Sequence, residues 1–307
     1  MLLISSPRFQ EHTTPPGHPE RPERAEVFDR VAAAWRDEGG AVVEPRAATR
    51  AELLRVHDEA HVAAMEAANG RAVMLDPDTF TSPETWEVAL LAAGAAVQAA
   101  EHAIDTRGTA VALVRPPGHH AERDKAMGFC LFNNVAVAAA AAVARGLSRV
   151  AIVDIDVHHG NGTQWMFYAD PRVLYVSTHQ FPFYPGTGAA DETGTGAGMG
   201  FTLNIPLPAG AKDADYAAAY VRVAAALVAF APELLLISAG FDAHEDDPLA
   251  SMRVSAEGYA AVVTSLSEAA ARVRCPIAVV TEGGYDLDAL RACLEATLAV
   301  LGGDEAL

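Results

Sequence analysis

From residue 110 onward, short apolar runs alternate with longer stretches of helical periodicity. The runs Ala110–Val114, Val150–Ile155, Val173–Ser177, Phe201–Ile205, Leu234–Ser238 and Ile277–Thr281 predict strands. They are nearly unbroken, Leu234-Leu235-Leu236-Ile237 most plainly, as expected of parallel strands covered by helices on both faces. Helices are predicted between and after them at 133–145, 161–168, 213–230, 255–273 and 286–301. The first half predicts helices at 21–37, 49–55, 59–68 and 83–105, a short strand within Met1–Ser6 and another at Ala41–Val43. No internal repeat and no Pro- or Ser-rich linker interrupts the pattern. The expectation is one α/β domain over 1–307 with a mostly parallel central sheet.

Composition narrows the function classes. Of 307 residues, 51% are hydrophobic, enough for a large core. Lys and Arg total 22 against 40 Asp and Glu, a net charge of −18, which excludes a phosphate-backbone binder and hence a nucleic-acid partner. The Ala-rich stretches 88–100 and 135–143 are too short or interrupted to span a bilayer, so no membrane partner is expected. No basic segment followed by a long apolar run opens the chain, and Cys130, Cys275 and Cys293 form no C-x-x-C pair. These features predict a soluble protein of a reducing compartment, the cytoplasm. The Gly-rich stretch 186–200 leads into a strand rather than a helix, so it reads as a flexible surface loop and not a phosphate cradle.

The polar residues follow the strands. After Ala110–Val114 comes Arg115-Pro116-Pro117-Gly118-His119-His120; after Val150–Val153 comes Asp154-Ile155-Asp156-Val157-His158-His159-Gly160-Asn161-Gly162. After Leu234–Ile237 comes Ser238-Ala239-Gly240-Phe241-Asp242, and after Ile277–Val280 comes Thr281-Glu282-Gly283-Gly284-Tyr285. In a parallel sheet these segments meet along one edge, where ligands bind. In an extended chain Asp154, Asp156 and His158 share a face while Ile155 and Val157 pack on the other. Two carboxylates and an imidazole so placed suit a divalent metal, and Asp242 completes an Asp/His/Asp set with room for water and substrate. The tandem His119-His120 reads as a general base with an electrostatic partner, and the Tyr285 phenol as a donor to a developing oxyanion.

These segments resemble the zinc-dependent histone deacetylase family, including its bacterial deacetylase-like amidohydrolases. The resemblance runs from His18-Pro19-Glu20-Arg21-Pro22-Glu23-Arg24 through Met127-Gly128-Phe129-Cys130 to Gly283-Gly284-Tyr285. It includes the blocks Arg115–His120, Asp154–Gly162, Pro185–Gly188 and Ser238–Asp242. No Trp stands between Gly118 and His119, and Asn161 stands where class I enzymes have Asp, which places the chain nearer the class II branch. The resemblance implies a three-layer arginase–deacetylase fold and the hydrolysis of linear N-acyl amides.

It also implies roles. Asp156, His158 and Asp242 would ligate one Zn2+ per chain, although the oxygen-rich set also suits Fe2+ or Co2+. The metal would activate a water and polarise the carbonyl; His120 would act as general base, oriented by Asn161. His119, paired with Asp154, would stay a charged stabiliser, and Tyr285 would polarise the carbonyl. Gly128, Phe129 and Tyr184 would line the acyl-lysine channel, Tyr184 standing where relatives commonly have Phe. Asp154, Asp156, His158, Ser177 and Thr178 match a structural K+ site, with Phe167, Asp170, Val173 and Phe201 a second. Arg24 or Arg21 would line an acetate channel or else form a surface salt bridge. Cys130 is read as a buried thiol.

For the substrate, polyamine-specific members carry Glu after the Asp-Pro that follows the third ligand. Here Leu249 follows Asp247-Pro248, which favours N-ε-acyl-lysine in proteins or peptides. The acidic run Glu245-Asp246-Asp247 offers a cation an alternative attraction, so an acetylpolyamine or another small N-acyl amine is the second expectation. A catalytically idle acyl-lysine-binding module and a dimetal arginase-type hydrolase are further alternatives; for a second metal, Asp154 is read as the only spare carboxylate in these segments. A homo-oligomer is expected only by analogy with bacterial relatives.

Overall fold

Along each central strand, successive residues turn to opposite sides, and both sides are apolar. Leu235 and Ile237 enter one core while Leu234 and Leu236 enter the other; Val279 and Val280 divide in the same way. The strands must therefore be covered twice, and the fold is three-layered. It is seen in a computed structural model that describes residues 1–303; the last four positions of the expected 1–307 domain lie outside it.

The strands are β1 (Leu2–Ile4), β2 (Ala41–Val43), β3 (Met74–Asp76), β4 (Thr79–Phe80), β5 (Thr109–Ala112), β6 (Val150–Asp154), β7 (Val173–Gln180), β8 (Thr202–Leu207), β9 (Leu234–Ala239) and β10 (Ile277–Thr281). Eight of them form one sheet in the order β2-β1-β5-β10-β9-β6-β7-β8, and every neighbouring pair is parallel. The order and the two covered faces agree with the expected three-layer domain with a mostly parallel central sheet.

The main helices are α1 (Glu23–Asp37), α2 (Arg50–Leu53), α3 (Glu59–Ala67), α4 (Thr85–Thr106), α5 (Asn134–Ala144), α6 (Asn161–Phe167), α7 (Asp213–Phe230), α8 (Ala256–Val273) and α9 (Leu287–Gly303). Residues of α1, α7, α8 and α9 share one core; those of α4 and α5 share the other. Alanine lets α4 and α5 lie close: Ala92, Ala96, Ala99, Ala138 and Ala139 are fully buried, in a residue type that also favours helix. Asn133 caps α5 by accepting from the Ala136 amide, which fixes where the chain turns after the tandem histidines. No helix among the described residues is long and apolar enough to cross a membrane.

Expected and observed elements differ mainly at their ends. Val114 and Ile155 fall outside their strands, while β7 and β8 run on to Gln180 and Leu207. The antiparallel hairpin of β3 and β4 was not anticipated, because five residues carry too little periodicity to register. The 186–200 segment is not a loose surface loop. It contains a short helical turn at Gly196–Gly198, and Glu192 pins it by accepting from the amides of Gly188 and Ala189.

Candidate active site

Strands β5, β10, β9 and β6 are consecutive in the sheet, so the four polar segments leave it side by side. Asp156, His158 and Asp242 are buried, and one potential ligand atom from each lies within 4.8 Å of the others. The His158 Nδ1 is 3.1 Å from Asp156 Oδ1 and 3.0 Å from Asp242 Oδ2. The strand ends at Asp154, so simple alternation does not bring these groups together. Instead Asp156 Oδ1 accepts from the His158 amide at 2.9 Å, a turn that folds the imidazole back beside its own carboxylate. Asp154 is not one of the trio, but its Oδ1 accepts from the Asp156 amide at 3.2 Å.

Two glycines let the carboxylates sit where they do. A Cβ on Gly240 would lie 1.9 Å from Asp156 Oδ2, and one on Gly283 would lie 2.2 Å from Asp242 Oδ2 and 2.6 Å from Asp156 Oδ2. Backbone amides help: Gly283 donates to Asp156 at 2.9 Å and Val157 to Asp242 at 2.9 Å. Two buried carboxylates this close need a positive charge. Burial and the neighbouring Asp156 push Asp242 up to about 7. Burial opposes a proton on His158, but Asp242 and Asp156 outweigh it and push the imidazole up to about 10. A donor set of two carboxylates and one imidazole, pressed against glycine backbone, fits a divalent cation in place of that proton.

The tandem histidines face different partners. His119 Nδ1 lies 3.0 Å from Asp154 Oδ2, and its Nε2 lies 3.8 Å from Asp156 Oδ2. Burial works against its charge, yet Asp156 and Asp154 hold it well above the ordinary value. His120 Nδ1 lies 2.8 Å from Asn161 Oδ1, and the Asn161 amide is oriented by donating to Glu122 at 2.7 Å. Burial, then the charges of His119 and His158, push His120 well below the ordinary value.

A cavity of about 180 Å3 opens over this group, lined by Asp78, His120, Gly128, Phe129, His158, Phe183, Tyr184, Leu249 and Tyr285. The expected Gly128, Phe129, Tyr184 and Leu249 are all there. Phe183 was not singled out, yet its ring stacks on His158 at 5.5 Å while Tyr184 meets His120 edge-on at 5.2 Å. Gly128 does more than leave room: a Cβ there would lie 2.5 Å from the His120 ring. The Tyr285 ring meets Phe129 edge-on at 5.7 Å and lies under the Arg24 guanidinium at 5.0 Å.

Several expectations change. Arg24 forms no surface salt bridge; it is fully buried, donating to Glu20 and to the carbonyls of Gly284 and Glu282. Arg21 is exposed and lines a wider cleft beside the cavity. Of the acidic run, Glu245 and Asp246 are exposed, but Asp247 is buried and accepts from backbone amides, so it offers no surface attraction to a cation. Cys130 is a buried thiol whose pKa burial pushes well up, as expected of a packed group. Ser177 pairs in register with Asp154, and Thr178 follows it. Their side chains bond His179 and Tyr220 respectively.

Glu282 was overlooked. It is fully buried and accepts from the amides of Gly118 at 2.6 Å and His119 at 3.1 Å, and from Ser238 Oγ at 2.9 Å. It thus ties the end of β10 to the histidine turn. The only sequence signal was a carboxylate between an apolar strand and two glycines.

A model of the histone deacetylase domain matches residues 18–301. A probable deacetylase of Methanothermobacter thermautotrophicus is 42% identical over 310 residues, covering 99% of this chain and 92% of that protein. A probable deacetylase of Archaeoglobus fulgidus is 39% identical over 293 residues, covering 93% of this chain and 81% of the other. Among solved structures, the crystal structure of the HDA15 HD domain superposes with a TM-score of 0.92 at 38% identity. That superposition covers 98% of this chain and 88% of that one.

Proposed function

Since the chain belongs to the histone deacetylase family, whose members hydrolyse amides, we propose that it is a zinc-dependent deacylase acting on N-ε-acyl-lysine in proteins or peptides. One observation carries this reading: a single cavity is lined by His158 of the Asp156–His158–Asp242 trio, by a second imidazole, His120, and by the Tyr285 phenol. A single catalytic domain spans the chain.

Asp156, His158 and Asp242 would hold a Zn2+, which when bound would supply a Lewis acid for the carbonyl and lower the pKa of water. Asn161 accepts from His120 Nδ1, which fixes the proton there and leaves the Nε2 lone pair free to take a proton from the attacking water. The same Nε2 then returns a proton to the leaving amine. His119 cannot compete as base. Its Nδ1 faces Asp154 and its Nε2 faces Asp156, so both nitrogens keep their protons and the imidazolium stabilises negative charge nearby. Tyr285, held protonated by burial, donates to the developing oxyanion. Phe129 and Tyr184 hold the apolar stem of the acylated side chain and exclude water, with Leu249 at the same wall. A K+ held by Asp154, Asp156, His158, Ser177 and Thr178 would brace the strand ends behind the site.

A second reading, an acetylated polyamine, rests on Asp78. Among the described residues it is the only carboxylate lining the cavity, and a cationic amine would suit it. Leu249 favours the first reading because an apolar wall gives a second ammonium nothing to bind.

Turnover by zinc-loaded protein on acetyl-lysine peptides, longer acyl-lysine peptides and acetylpolyamines separates the two. A peptide preference of about tenfold or more, about 1.4 kcal/mol, supports the lysine reading. A polyamine preference overturns it. Tyr285→Phe should keep its zinc and lose about 10²–10³ in kcat, the usual cost of an oxyanion donor. Wild-type turnover in that variant would remove Tyr285 from the mechanism.

A further inference from the structure

Tyr285 and Leu249 come from different loops, yet both line the cavity, and one buried carboxylate joins them. Asp247 Oδ2 accepts from the Tyr285 amide at 2.6 Å and from the Asp286 amide at 3.3 Å. Its Oδ1 accepts from the Leu249 amide at 3.0 Å. The side chain is 7% exposed, so these three amides are its partners in place of water.

Something must restrain this loop. Tyr285 follows Gly283-Gly284, and Gly284 has φ of +117°, a conformation that L side chains rarely adopt. Two glycines give the chain ahead of the phenol wide conformational freedom, so its position depends on the bonds made around it. The Tyr285 ring is braced on its sides by Phe129 and Arg24, and Arg24 Nε also donates to the Gly284 carbonyl at 2.7 Å, holding the 284–285 peptide by its oxygen. Asp247 grips the same peptide by its N–H and the next amide as well, with charge-assisted bonds that tie this backbone to the Leu249 loop.

We propose that Asp247 is the positioning residue for the Tyr285 hydroxyl, setting its distance from the reacting carbonyl through the backbone of residues 285 and 286. The inference rests on the proposed role of Tyr285 and extends it. Asparagine is the sharp probe. It keeps the shape, but its amide nitrogen cannot accept, so one side of the clasp turns from acceptor to donor against a backbone N–H.

The test is a double-mutant cycle of Asp247→Asn and Tyr285→Phe, with kcat, zinc content and melting temperature measured for each protein on the best acyl substrate. Asp247→Asn alone should lower kcat by about tenfold to a hundredfold, as misplaced catalytic groups do, with zinc content unchanged. On the Tyr285→Phe background it should cost no more than about twofold, because no hydroxyl is left to misplace. An equal loss on both backgrounds, or no loss in the single variant, overturns the positioning role. If Asp247→Asn does not fold, Asp247→Glu, which displaces the carboxylate by one methylene, takes its place in the same cycle. The underlying reading fails separately: it is lost if Tyr285→Phe turns over like wild type, whatever Asp247→Asn does.

Discussion

Adjacent imidazoles take opposite protonation states here because each faces a different neighbour. His119 sees carboxylates at both nitrogens; His120 sees a neutral amide and two cationic rings. A general base works only when unprotonated, so the acid limb of kcat/KM should fall below pH 6.5, and a bound divalent cation moves it in the same direction. His119→Gln removes one of the charges that keep His120 neutral. Its acid limb should therefore move up toward 6.5, and a pH–rate profile on an unionisable acyl substrate reads the shift. An unmoved limb would mean that His119 does not set the base. The chemistry of these residues was legible in the sequence because it lies in short contiguous blocks. Asp247 and Glu282 were not, because their meaning lies in amides 38 and 164 positions away. Asp247 follows two exposed acids in sequence and differs from them only in direction.

At the scale of the element, the site depends on how strands stop. Where β6, β9 and β10 end, Gly240 and Gly283 bring backbone against Asp156 and Asp242 with no Cβ between. Gly283→Ala would force an atom to within 2.2 Å of one ligand oxygen and 2.6 Å of another. It should weaken zinc binding by about tenfold to a hundredfold while the fold persists, as changes behind a metal site do. Competition with a chelator measures this, and unchanged affinity would show that the carboxylates can settle elsewhere. Strand positions were legible because unbroken apolar runs have one reading in a sheet covered on both faces. The turn after Asp154 was not: extended alternation and the observed fold-back both bring Asp156 and His158 to one side, and only the hydrogen bond between them distinguishes the two.

At the scale of the whole molecule, the entry segment is bolted to the sheet by buried charge. Glu20 accepts both branches of the Arg115 guanidinium, at 2.8 and 2.7 Å, and one from Arg24 at 3.0 Å, all fully buried. Glu20→Ala would leave two guanidiniums without a counter-charge and should cost about 3–5 kcal/mol by denaturant unfolding at pH 7. Burial works to raise the Glu20 carboxyl, but Arg115 and Arg24 outweigh it and hold it down at about 2. A carboxyl depressed in the fold stabilises above its unfolded value, near 4.5, and loses that contribution as pH falls through about 2. The gap between wild type and variant should therefore be full at pH 5 and shrink below it; a constant gap would assign the loss to packing rather than charge.

The sheet order carries a consequence for assembly. The last strand in chain order among the described residues, β10, sits between β5 and β9, with three strands beyond it on one side and four on the other. Taken away, β10 would leave two half-sheets with a slot between them, each with an unpaired parallel edge. Closing that slot requires pairing across 168 residues to β5, a slow, entropy-limited event. It also brings in Gly283, Tyr285 and Glu282 together. One side of the candidate site thus depends on a five-residue wedge seated between strands that lie far from it in sequence.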